Sequence, residues 1–255
     1  MPKTFLNRRS PKRYHYSSIA QYLFSLQTIG QSLATLTWNI QGKAIMCRDR
    51  GEHERTYELA AARKAFDFIL RRYAMGMYAK YVPGDLHIRH LEALLHELAD
   101  AGVTVYPFIS PIHVTHLELM AEMNLINDYA NWKRKLVQVF SEVNQDLPAQ
   151  QQIVLWDFSG YSEITTEKVP DLQQQQFMRW YEDSSHFNQD VGGIMLDRML
   201  GRQSVDSVTE IPFGVVLTSD NIDVQIEADQ RNSRRYRLDN PEEISRLQKM
   251  LDSLE

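Results

Sequence analysis

Ala101-Gly102-Val103-Thr104-Val105-Tyr106-Pro107-Phe108-Ile109-Ser110-Pro111 is the stretch whose reading decides the fold. Just upstream, Asp85 is the predicted cap of a helix over Leu86 to Asp100, and Ala101-Gly102 closes that helix, because glycine takes up the left-handed conformation of a helix end without penalty. Val103 to Ile109 is short, rich in β-formers and bounded by turn residues, the pattern of a buried strand. Helix, glycine and buried strand make half of an α/β unit. Ser110-Pro111 then falls at the strand's carboxyl end, the edge of a parallel sheet where ligands sit. Ile153 to Phe158 repeats the pattern after another helical segment and ends in Asp157-Phe158-Ser159-Gly160. The two runs are therefore expected to be adjacent or near-adjacent parallel strands, covered on both faces.

Helical spacing accounts for much of the rest. Ser17 to Asn39, Thr56 to Lys80, His113 to Asn124, Asn127 to Val143, Asp220 to Arg235 and Pro241 to Leu254 are predicted helices, the last capped by Asn240 with Pro241 at its first position. Ile40 to Arg55 is a charged loop, Asp146 to Gln152 a polar linker, and the segment from Gly201 to Pro212 irregular. Two strands are few for a complete doubly wound domain. The first thirteen residues hold Lys3, Arg8, Arg9, Lys12 and Arg13 with no acid, so residues 1–15 are expected to be a basic flexible tail and residues 16–255 a single domain.

The chain of 255 residues carries a formal charge of −5, which argues against a nucleic-acid surface. Its one cysteine, Cys47, excludes an internal disulfide. Nothing has the pattern of a signal peptide or a membrane span: the most apolar early stretch, Ile19 to Trp38, is broken by glutamines and serines.

Chemistry concentrates in Trp180-Tyr181-Glu182-Asp183-Ser184-Ser185-His186-Phe187. A loop with Pro170 and the glutamines Gln173 to Gln176 delivers it, and a helix follows with Asn188 as its predicted cap and Gly201 as its stop. Asp183 and His186, three apart in a turn, can place a carboxylate against an imidazole, fixing its tautomer and steadying the imidazolium formed when the ring accepts a proton. The alternative is that Asp183 caps a backbone N–H of its own turn and leaves the ring to pack or face solvent. A nucleophile belongs on a sharp turn after a strand. Gly30-Gln31-Ser32 lies in a helical pattern, and Ser110 is followed by Pro111, which lacks the N–H an oxyanion hole would use. Ser159 and Ser184 have no better claim. His87 with His90, and His113 with His116, share helical spacing, but no carboxylate or cysteine array completes a metal site.

Taken together, the block from Trp180 to Phe187, Gly192, Leu196-Asp197-Arg198-Met199-Leu200-Gly201, Phe108-Ile109-Ser110-Pro111-Ile112-His113, Trp132-Lys133-Arg134 and Asp157-Phe158-Ser159-Gly160-Tyr161 resembles a bacterial branch of the SGNH (GDSL-type) hydrolase-like superfamily, from roughly Tyr16 onward. The resemblance implies a flavodoxin-like three-layer α/β/α sandwich with a mostly parallel sheet, here helix-rich and without its first strand. It also implies a serine esterase or O-acyltransferase acting on an acylated small molecule or an envelope carbohydrate, with no metal or organic cofactor. The family's Asp-x-x-His maps onto Asp183 and His186 as the catalytic pair, and Ser110, His113, Asp157 and Tyr161 onto the pocket wall. The family's first block, a strand with Gly-Asp-Ser or Gly-Ser-Ser, has no match, so the chain is expected to be inactive by itself. Periplasmic or envelope placement follows from the same resemblance, with any anchor upstream. The competing expectation is a non-catalytic α/β domain that binds a carbohydrate or a partner protein.

Overall fold

In the computed structural model, residues 61–172, 178–202 and 212–254 are described, together with Thr37, which is helical. The basic tail and its boundary, the Gly30-Gln31-Ser32 site, the loop with Cys47, the glutamine run and most of the irregular segment before Pro212 lie outside the described residues, as does the rest of the predicted Ser17 to Asn39 helix. The chain divides into two compact units, Met1–Tyr57 and Glu58–Glu255. The architecture below is that of the second.

Helix α1 (Ala61–Tyr73) passes directly into a π-helical turn, Ala74–Tyr78. Its inward stripe is Arg63, Phe66, Leu70 and Ala74, at spacings of three and four. Arg63 tolerates that position because its guanidinium donates to the carbonyls of Val169 (2.8 Å) and Pro170 (3.2 Å) and pairs with Glu243 at 2.7 Å. Helix α2 spans Leu86–Asp100 as predicted, and Gly102, at φ 67°, terminates it. Asp85 sits at the cap position but makes no capping bond; its carboxylate pairs with Lys135 instead.

The sheet has three short strands in the order β1 (Phe108–Ile109), β2 (Trp156–Asp157), β3 (Val215–Val216). β1 and β2 are parallel neighbours, with Phe108 opposite Trp156 and Ile109 opposite Asp157. That is the predicted pairing, but the predicted buried strand over Val103 to Ile109 contracts to two residues. Val103, Tyr106 and Phe108 are exposed, while Ile109 is buried in the core and the half-buried Val105 packs against it. β1 is an edge strand, and Pro107 has no N–H to extend the ladder. β3 runs antiparallel to β2. The sheet is therefore mixed rather than mostly parallel, with its antiparallel strand on one edge, a common arrangement in α/β folds.

Helices α3 (Val114–Glu122) and α4 (Ile126–Gln145) follow β1; α5 (Gln189–Met199) follows the Asp183 segment; α6 (Ile222–Asp239) and α7 (Pro241–Asp252) close the chain. Asn240 precedes Pro241 as predicted but makes no side-chain cap. Period-two alternation in the central strand divides the core. Ile153 and Leu155 pack with Ile109, Leu217 and the apolar faces of α2, α4 and α6. Phe158, with Trp156 beside it, belongs to a second cluster with Phe66, Trp180, Tyr181, Val191 and Met195. A third cluster joins Leu70, Leu119 and Leu247 of α1, α3 and α7. The result is a helix-rich α/β unit around a small mixed sheet.

Candidate functional site

The Asp183 turn is built by its flanks. Tyr181 and Phe187 form an antiparallel bridge, the Glu182 N–H donates to the His186 carbonyl (2.9 Å) and the Asn188 N–H to the Trp180 carbonyl (2.8 Å). Trp180 and Tyr181 are buried and anchor the base of this loop. Asn188 then caps α5, its Oδ1 accepting from the backbone of Asp190 (3.1 Å) and Val191 (3.3 Å), and Gly201 ends the helix region at φ 63°.

At the tip, His186 Nδ1 lies 2.7 Å from Asp183 Oδ2 and 2.9 Å from Oδ1. Nδ1–H is therefore the donor, which leaves Nε2 as an acceptor with no hydrogen-bond partner among the described residues. The His186 side chain is 57% exposed and that of Asp183 only 11%. Asp183 Oδ1 also accepts from the backbone N–H groups of Ser185 (2.8 Å) and His186 (3.0 Å). Orienting the ring and closing the turn, set against each other as alternatives in the sequence, are performed by one carboxylate, because its two oxygens offer about four acceptor sites.

The turn is fastened to the segment leaving β1. The Ser184 carbonyl accepts from the His113 N–H (3.1 Å), and the Tyr181 hydroxyl donates to the Pro111 carbonyl at 2.6 Å. Ser184 Oγ and His116 Nε2 are 3.1 Å apart, and Tyr78 Oη approaches His116 Nδ1 at 3.0 Å. His116 is 1% exposed; burial, reinforced by His113 nearby, lowers its pKa to about 3. It is a neutral strut between α3 and the loop.

Among the other predicted site residues, Ser110 is exposed immediately after β1, its carbonyl accepting from Ile112 N–H (2.9 Å). His113 is fully buried: Nδ1 caps α3 by accepting from Thr115 N–H (3.3 Å), and Nε2–H donates to the Glu167 carbonyl (2.7 Å). Burial pushes its pKa down to about 4, with Arg63 acting in the same direction against the Glu167 carbonyl. Asp157, 1% exposed, accepts from the Ser159 hydroxyl (2.6 Å) and amide (2.8 Å) and pairs with Lys133 at 2.8 Å. The Tyr161 hydroxyl donates to the buried Glu118 at 2.6 Å. Ser233 donates to the same oxygen at 2.9 Å, and Arg237 pairs with the other at 2.6 Å.

Sequence reading missed the group that collects these last residues. Lys133, 1% exposed, lies between Asp157 and Asp229, the latter at 3.2 Å, and 5.0 Å from the centre of the Tyr129 ring. Tyr129 in turn donates to Ser159 at 3.1 Å. The signal was present: Lys133 falls three and four residues before Leu136 and Val137 on the apolar stripe of α4, where a charge needs a partner. Among the described residues, no three His, Cys, Asp or Glu side chains converge to hold a metal, and no helix is long and apolar enough to cross a membrane. Comparisons of the chain with protein-family models, with curated proteins and with solved structures find no match.

Proposed function

We propose that Asp183 and His186 are the orienter and general base of an SGNH-type acyl-transfer site on a flavodoxin-like α/β/α framework. Support comes from one arrangement: the carboxylate holds Nδ1 of an exposed ring, in a turn hung on the segment that leaves the carboxyl end of β1. In this reading Nε2 takes the proton of a serine hydroxyl as its oxygen attacks an ester carbonyl, Asp183 steadies the imidazolium, and the proton passes to the departing alkoxide. The nucleophile block that the resemblance implies has no match in the sequence. The substrate is an acylated small molecule or carbohydrate of the cell envelope, and the chemistry needs no cofactor.

A second reading rests on the hydrogen bonds from Ser185 and His186 N–H to Asp183, which suffice to make the pair a turn-closing element of a carbohydrate- or partner-binding domain. Hydrolysis of a short-chain p-nitrophenyl ester by the chain and its variants separates the two, with far-UV circular dichroism as the check on folding. The expected rate for the chain alone is negligible, on the order of 10⁴–10⁶ below a complete triad. Turnover above that floor would need a serine acting with the pair, and is expected to drop to the floor in His186→Ala and to fall strongly in Asp183→Asn. Turnover that survives His186→Ala overturns the acyl-transfer reading, and turnover lost in Ser110→Ala moves the nucleophile to Ser110.

A further inference from the structure

A cleft of about 230 Å³ opens between α4 and α6. A cavity of about 150 Å³ accepts benzene, so this one has room for roughly six to ten non-hydrogen atoms. Leu117, Ala121, Ile126, Ala130 and Ile226 make up its apolar lining, and Asn127, Gln230, Ser233 and Arg234 also line it. Its floor is polar, because Lys133 and Asp229 both reach it, with Tyr129 and Tyr161 at the sides.

The floor has unused hydrogen-bonding capacity. An ammonium has three N–H donors. Lys133 donates to Asp229 Oδ2 (3.2 Å) and pairs with Asp157 Oδ2 at 2.8 Å, which leaves one of its three donors uncommitted. Asp229 Oδ1 accepts only a long bond of 3.3 Å from the Gln225 amide. A donor and an acceptor thus stand side by side beneath the apolar lining. A hydroxyl complements them, accepting from Lys133 and donating to Asp229. Charge argues for the same group. Lys133 and Arg234 at the cleft are matched by Asp229 and by Asp157 behind Lys133, so no net charge is left to hold an ion, and an ion of either sign would lose its hydration there.

We propose that this cleft binds a small neutral alcohol with a compact apolar body, its hydroxyl bridging Lys133 and Asp229 and its body against Leu117, Ile126 and Ile226. The site does not depend on the acyl-transfer reading, and its test measures binding alone, so either can fail without the other.

The experiment titrates the full chain, followed by amide chemical shifts, with benzyl alcohol, toluene, benzoate and benzylamine, four ligands of nearly equal size. Benzyl alcohol is expected to bind with a Kd of about 1 mM or tighter and about tenfold more tightly than the other three, the value of one well-made hydrogen bond. Ala130→Phe, which fills the chamber, is expected to abolish binding, and Ala121→Leu on the opposite wall to weaken it, each verified as folded by circular dichroism. Toluene binding as tightly as benzyl alcohol reduces the site to an apolar void. Preference for benzoate or benzylamine means the floor selects charge. Binding that persists unchanged in a folded chamber-filling variant, or no benzyl alcohol binding at about 10 mM, also overturns the proposal. Should neither variant fold, the ranking of the four ligands on the parent chain decides.

Discussion

A lysine that is 1% exposed is the most demanding single residue in the described fold. Taking an ammonium out of water costs several kcal/mol unless it is paired. Burial alone would lower the Lys133 pKa, but Tyr129, Asp157 and Asp229 outweigh it and hold the group above its ordinary value, so it stays charged. The dependence is mutual: Asp157 is 1% exposed, and Asp229 is itself pushed upward by burial against the pull of Lys133. Removing the cation leaves two carboxylates facing each other in a space with little water. Lys133→Met is therefore expected to cost about 3–5 kcal/mol in urea unfolding, and adding Asp229→Asn to the same chain to recover part of it. A loss under about 0.5 kcal/mol for Lys133→Met would show that the cluster is solvated and contributes little.

Among the secondary-structure elements, the approach to β3 is the least forgiving. Gly214 has φ 82°, and a Cβ built there would stand 2.3 Å from Phe158 Cε1 and 2.5 Å from Cδ1. Phe158 is fully buried, stacked on Trp156 at 5.6 Å and tilted against Phe213 at 5.1 Å, so it has no room to yield. Backbone strain and overpacking act together in Gly214→Ala, with an expected loss of about 2–5 kcal/mol. Gly193 is the matched control. It lies inside α5 with nothing within 4 Å of its added Cβ, so Gly193→Ala is expected to be neutral or to stabilise by about 0.5–1 kcal/mol. Thermal unfolding of both variants checks the contrast, and equal effects would mean that β3 does not sit on Phe158.

At the scale of the whole molecule, two buried histidines couple folding to pH. The pKa values of His113 and His116 are lowered by burial to about 4 and about 3, whereas in an unfolded chain each is about 6.5. Below pH 6.5 the unfolded chain therefore binds protons that the fold refuses. Their stabilising contribution is complete above that pH and is lost as pH falls toward 4, at about 1.4 kcal/mol per pH unit for each ring. Glu167, Asp67 and Asp229 have carboxyls raised chiefly by burial, and they act in the opposite sense at the acidic end. Urea unfolding between pH 6.5 and 5 is the clean window. His116→Gln is expected to reduce the slope there by about 1.4 kcal/mol per pH unit. Parallel profiles for the two chains would mean that His116 is protonated in the fold.

What the sequence determined by itself is local. The bounds of α2, the stop at Gly102 and the cap at Asn188 follow from periodicity and turn chemistry, signals that a dozen residues carry in full, and the parallel pairing of Phe108–Ile109 with Trp156–Asp157 is the one expected from two apolar runs, each after a helical segment. The contact between Asp183 and His186 belongs here too, because three residues in a turn suffice to bring a carboxylate to a ring. The tertiary structure decided whatever depends on distant partners. β3 is two valines after a glycine, too brief for any period, and only its bonds to β2 make it a strand. Asp85 turns from its helix end to Lys135, fifty residues away, and His113 is occupied by Glu167. The Lys133 floor needs Asp157 from β2 and Asp229 from α6, which reach the same lysine of α4 only in the folded chain.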